Sequence, residues 1–130
     1  MTARSFDLAA AFAVLGPGGS AVPVGVTPTI YQDLDRRFGG FADHCLVSCH
    51  SFSADWSSWE MHPAGDEVVC LLSGRAKMVL EIGGKEEIVE LREPGHYVIV
   101  PRGTWHTGRA AQAVTMLFIT PGAGTEHRPA

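Results

Sequence analysis

The chain lacks much of what several kinds of function require. Its 130 residues contain no run of basic residues longer than the pair Arg36-Arg37 and no interleaving of basic with aromatic side chains, and 10 Lys+Arg stand against 14 Asp+Glu, a formal charge of -4. Neutralising a phosphate backbone takes a cluster of cations, so nucleic acid is not an expected partner. No apolar run approaches the roughly 20 residues of a membrane-spanning helix, and a membrane is not an expected partner either. The three cysteines, Cys45, Cys49 and Cys70, are odd in number and make no C-x-x-C unit, which argues against a disulfide framework and for a reducing cytoplasm. Cys45 and Cys49 share one strand face and Cys70 alternates outward relative to Glu67; all three read as small buried hydrophobes, with thiol ligation as the alternative. The sequence holds no internal repeat, no glycine loop of the phosphate-cradling kind, no nucleophile paired with a base and no dinucleotide fingerprint.

What is present is one domain's worth of short apolar runs punctuated by Gly and Pro, with 45% hydrophobic residues to build a single core. Strands are predicted at about 43–52, 55–62, 67–73, 76–82, 86–91, 97–100, 104–107 and 113–120, with Gly83-Gly84 as a two-residue hairpin turn. Before them, Phe6 to Leu15 reads as a short helix capped by Ser5 or as an extended arm. Its resemblance to a secretory signal is opposed by Asp7 at its mouth. Ser20 to Pro28 reads as an edge strand or irregular arm, and Ile30 to Phe38 as a helical turn closed by Gly39-Gly40. Residues 1–39 are thus assigned to an N-terminal helix or arm, 40–121 to a β-barrel, and 122–130 to a polar C-terminal tail.

Two segments carry the chemistry. Around the first turn the chain reads Glu60-x-His62-x4-Glu67-x6-Gly74, and around the second Gly95-x5-Pro101-x-Gly103-x2-His106. On a strand, Glu60 and His62 share one face while Trp59 and Met61 take the other. The turn Pro63-Ala64-Gly65-Asp66 lets Glu67 return toward His62, and Pro101-Arg102-Gly103 leads into His106. Two imidazoles and up to two carboxylates suit a divalent transition metal. Glu60 stands either as a direct ligand or as a hydrogen-bonding group or general base beside the site. Trp56, Trp59 and Trp105 read as packing aromatics, with Trp59 and Trp105 turned away from the metal side.

These two segments resemble the paired motifs of the cupin superfamily in spacing throughout. Three positions depart from the family pattern: Glu60 replaces the first His, Ala54 the leading Gly, and Ala110 the closing Asn of the second motif. The resemblance implies an all-β double-stranded β-helix, or jelly-roll barrel, with a metal held by Glu60, His62, Glu67 and His106. The second carboxylate shifts preference toward Fe, Mn or Zn over soft copper. It further implies a small-molecule ligand or substrate, with dioxygenase, isomerase or lyase chemistry, or alternatively a binding or sensing module without turnover. A homodimer is expected, with Val22 to Ile30 as the segment for strand exchange between subunits. Catalytic residues are not assigned.

Overall fold

Residues 3–130 are described by the computed structural model. Runs whose alternate members are apolar lie as strands with that side turned inward. Eleven strands result: β1 (Ala11–Gly16), β2 (Ser20–Gly25), β3 (Cys45–Phe52), β4 (Ser58–Met61), β5 (Glu67–Ser73), β6 (Ala76–Ile82), β7 (Lys85–Leu91), β8 (Tyr97–Val100), β9 (His106–Arg109), β10 (Val114–Thr120) and β11 (Glu126–Pro129). Among the described residues one α-helix, α1 (Ile30–Arg37), lies between β2 and β3. The strands form two antiparallel sheets, ordered β2-β1-β3-β10-β5-β8 and β11-β4-β9-β6-β7. The jelly roll is therefore present, but not as a closed barrel. Among the described residues no strand is hydrogen-bonded in both sheets, and the two inner faces meet through side chains, as in a sandwich.

Between the faces lies a core of Val69, Leu71, Met78, Leu80, Leu91, Val100, Val114, Met116 and Phe118. Burying each such side chain contributes about 1.5–3 kcal/mol. A second cluster, Phe12, Val14, Val24, Ile30, Leu34, Phe41 and Leu46, seats α1 against the β1–β3 end of the larger sheet. Arg36 and Arg37 occupy the last turn of α1, where positive charge complements the helix dipole.

The ends of the chain differ from the sequence reading. Of the two readings of Phe6 to Leu15 the helix fails and the extended one is adopted, as a strand of the sheet: after a turn in which Ala10 and Ala11 donate to the Asp7 carbonyl, the segment becomes β1. Phe12 and Val14 are buried while Ala11 and Ala13 are only partly so, a large-small alternation of period two that a helix cannot bury on one face. β2 pairs along its whole length with β1 of its own chain. The polar tail is also structured: β11 pairs with β4 from Glu126–Met61 to Pro129–Ser58 and forms the edge of the smaller sheet. The cysteines are free but half-buried rather than buried, because their strand phase turns them outward from the larger sheet.

At Gly74, φ is +81° and an added Cβ would run into the Ala113 carbonyl oxygen, so this motif glycine is required both for its conformation and for space.

Candidate metal centre

The two motifs meet because their turns are hydrogen-bonded to each other. Gly103 N–H donates to the His62 carbonyl (3.0 Å), Arg102 N–H to Asp66 Oδ1 (2.8 Å), and the Arg102 guanidinium to the Ala64 carbonyl (2.7 Å). Gly103 adopts φ +74°, open to glycine without strain, and lets the chain reverse from β8 into β9. Glu60 and His106 are then direct cross-strand partners on β4 and β9.

Potential ligand atoms of Glu60, His62 and His106 lie within 4.8 Å of one another. Glu67, at the start of β5, reaches both imidazoles: Oε2 is 3.3 Å from His62 Nε2 and Oε1 is 3.1 Å from His106 Nε2. His62, Glu67 and His106 are buried, whereas Glu60 is 31% exposed, 3.8 Å from His62 Nε2 and 3.5 Å from His127 Nε2.

The hydrogen bonds around the site fix which ring nitrogen faces it. Thr125 donates its single hydroxyl hydrogen to the Gly122 carbonyl (2.8 Å), so the 2.8 Å contact with His62 Nδ1 requires Nδ1 to be the donor. His106 Nδ1 lies 3.0 Å from the Thr104 carbonyl, which can only accept. In its neutral form each imidazole therefore aims an Nε2 lone pair at the centre. Opposite them is Glu67, whose Oε2 accepts from Thr120 (2.6 Å). His62 Nε2, His106 Nε2 and Glu67 Oε1 are buried polar atoms without a hydrogen bond, and they converge on one spot. Three acceptors facing one another without a donor call for positive charge between them.

The acid–base properties follow. Burial works to raise the Glu67 pKa, but the facing His106 and His62 outweigh it and hold the carboxyl down at about 2. For His106 burial works downward, and Glu67 outweighs it to raise the imidazole. Both shifts favour cationic charge between carboxylate and imidazole. Two imidazole Nε2 atoms and two carboxylates form a donor set that could hold a divalent transition metal, with Thr125, Thr104 and Thr120 hydrogen-bonding the side chains from behind.

Beside the site opens a cavity of about 790 Å³, lined by α1, β3 and β10 as well as the motif residues. Its apolar wall includes Phe52, Trp56 and Phe118. Trp56 is thus a lining residue, whereas Trp59 and Trp105 face outward and share the Arg128 guanidinium, at 5.2 and 4.6 Å. Sequence reasoning missed the polar residues lining the cavity: Tyr31, whose hydroxyl is 2.9 Å from His50 Nε2, and His127. Burial, then the charges of Glu60 and Glu67, push the Tyr31 phenol up to about 12. Burial lowers His50, with Glu60 opposing. Both are therefore neutral near pH 7.

No protein-family model matches the chain, and no curated protein matches it either. Solved structures do. A cupin superfamily protein from Desulfitobacterium hafniense DCB-2 is 25% identical with a TM-score of 0.51, the match covering 61% of this chain and 68% of that one. Hydroquinone 1,2-dioxygenase from Sphingomonas sp. TTNP3, with 4-hydroxybenzoate bound, is 18% identical with a TM-score of 0.51, over 66% of this chain and 60% of that one. The oxalate decarboxylase of Bacillus subtilis, with its Mn(II) centers, is 15% identical with a TM-score of 0.53, over 65% of this chain and only 23% of that one. With two facing antiparallel sheets, both motifs in register and these neighbours, the chain has the fold of the cupin superfamily.

Proposed function

We propose that this chain is a metal-binding cupin that holds Fe(II), Mn(II) or Zn(II) through His62, His106, Glu67 and Glu60 and takes a small oxygen-bearing organic molecule into the adjoining cavity. The observation that carries this reading is the convergence of two imidazole lone pairs and an ionised, buried carboxylate with no donor between them. A divalent cation there would supply Lewis acidity and open coordination positions.

The chain's own residues divide the remaining tasks. Glu67 and the two imidazoles are buried and held from behind, which suits them to fixed ligation. Glu60 is partly exposed and loosely held between His62 and His127, so it is the group placed to exchange a proton with a ligand at the cavity wall. The Tyr31–His50 pair offers a neutral hydroxyl and ring nitrogen to a polar end of the ligand, while Phe52, Trp56 and Phe118 exclude water around its body. The 4-hydroxybenzoate in one structural neighbour and the Mn(II) centers of another support a small oxygen-rich ligand on a metal. Dioxygenase or isomerase turnover belongs to the same proposal. The unpaired thiols support a reducing compartment such as the cytoplasm.

Thermal unfolding with a panel of phenols and hydroxy acids, before and after metal loading, tests the reading. A ligand of this class should raise the melting temperature only of the loaded protein. A shift of equal size without metal would remove the metal from the ligand site, and oxygen uptake by the loaded protein would separate turnover from binding alone.

A further inference from the structure

The charges around the cavity are of one sign. Three carboxylates line it, Asp35, Glu60 and Glu67, and among the described residues of the lining none is Lys or Arg. Cations that neighbour lining residues in sequence are engaged elsewhere: Arg36 pairs with Asp33 at 3.0 Å, Arg37 lies over Phe38, and Arg128 is held by Glu81 against Trp59 and Trp105. His127 reaches the lining, but its Nε2 is 3.5 Å from Glu60, which meets any charge the ring takes up.

Two of the three carboxylates belong to the metal centre. A divalent ion there brings two positive charges against Glu60 and Glu67, so the centre keeps no surplus to hold a second anionic group. Asp35 is different. Its carboxylate, exposed on α1, makes no hydrogen bond or ion pair among the described residues, whereas Asp33 on the same helix is engaged by Thr27, Thr29 and Arg36.

An aromatic run leads to Asp35. Phe52, Trp56, Phe118, His50 and Tyr31 all line the cavity and follow one another with ring centroids 5.6, 6.0, 5.7 and 6.5 Å apart. Tyr31 and Asp35 are one helical turn apart on α1, so the run ends on the helix face that carries the unpaired carboxylate. Ring faces are electron-rich; they pack on an aromatic ligand and favour a cationic group over an anionic one. A carboxylate in such surroundings loses water without gaining a partner.

We propose that the cavity selects its ligand by charge: it takes an aromatic molecule with an oxygen donor for the metal at one end and an amine at the other, accepts an uncharged group in the amine's place, and rejects a second carboxylate. Asp35 is the specificity-determining residue. This selection rests on the centre holding a metal, and the volume of about 790 Å³ leaves room for a ring with a substituent at each end.

Calorimetric titration of the intact Zn(II)-loaded chain with para-(aminomethyl)benzoate, para-(hydroxymethyl)benzoate and para-benzenedicarboxylate tests it, with zinc content measured on the same samples. The three ligands are nearly equal in size, each offers one carboxylate to the metal, and they differ in the charge of the other end. At about pH 8, where an ordinary imidazole is neutral, the amine should bind most tightly and the dicarboxylate most weakly, with roughly tenfold or more between them. Asp35→Asn should shrink that ratio by about threefold, and Asp35→Lys should invert the order. Glu87→Gln, which removes the same charge from an exposed position on β7, should leave the ratio unchanged. Zinc retained with the dicarboxylate bound as tightly as the amine, with none of the three bound, or with a ratio that Asp35→Asn does not move, would overturn the charge selection alone. A chain that retains no zinc would overturn the reading of the centre, and the selection with it.

Discussion

Replacing Thr125 by Val keeps the shape of the side chain and removes the one oxygen that accepts the His62 Nδ1 hydrogen. Thr125 lies on the loop between β10 and β11, 63 residues from His62, and its hydroxyl meets that imidazole at Nδ1, the nitrogen turned away from the centre. In the variant the buried N–H loses its partner, which costs about 1–3 kcal/mol. The ring can recover part of this by moving its proton to Nε2, but that tautomer presents a hydrogen, not a lone pair, to the metal. Either way the ligating form is disfavoured. Loss of such a partner typically weakens metal affinity by about 10–100-fold, the same range as 1.4–2.8 kcal/mol. Thr125→Ser restores the oxygen and should return affinity to near the original value. Competition titration of Zn(II) or Mn(II) against a chelator measures this. Circular dichroism of the metal-free variants verifies that β11 stays paired. If Thr125→Val binds metal within twofold of the original chain, or if the Ser variant is as weak as Val, the tautomer argument fails.

Other predictions test the neighbouring steps. Glu60→Gln removes a carboxylate charge but no volume and should weaken metal binding by roughly tenfold; unchanged affinity would place Glu60 outside the ligand set. Gly74→Ala forces a Cβ into the Ala113 carbonyl and should cost about 2–4 kcal/mol, a melting-temperature loss on the order of 10 °C, whereas Gly83→Ala, with φ +61° and open space, should cost about 1 kcal/mol. For the metal-free protein, Glu67 has a folded pKa of about 2 against an ordinary 4.5, so its stabilisation is fully present above pH 4.5 and is lost as the pH falls toward 2. The loss is on the order of 3 kcal/mol, and urea midpoints measured across that window should fall accordingly, with a flatter profile in Glu67→Gln.

The convergence of Glu60, His62, Glu67 and His106 was legible in the sequence because the four side chains sit at short fixed offsets around two turns. Strand alternation alone put Glu60 and His62 on one side, and Gly103 marked the reversal into His106. The groups that steer those ligands were not legible. Thr120 and Thr125 are single hydroxyls contributed by distant strands and loops, and no local spacing distinguishes them from surface threonines. Tyr31 and His50 meet across 19 residues, through the seating of α1 on β3. β1 was left open between helix and extended arm by its composition: the alanines around Phe12 and Val14 satisfy a helical pattern as readily as an extended one, and sheet pairing with β2 and β3 decides between them. β11 reads as a tail because an edge strand with both faces partly wet carries no apolar alternation, yet its ladder with β4 brings His127 to within 3.5 Å of Glu60. Sheet closure depends on edge geometry, which single strands do not encode.

The central claim is that His62, His106 and Glu67 jointly face a cation. Anomalous diffraction at the metal edge of crystals grown from metal-loaded protein tests it most directly. The account predicts one ion per chain, about 2.0–2.2 Å from Nε2 of both histidines and from a Glu67 oxygen. Diffraction showing no ion between these groups, or an ion bound through Nδ1 or at other residues, would contradict it.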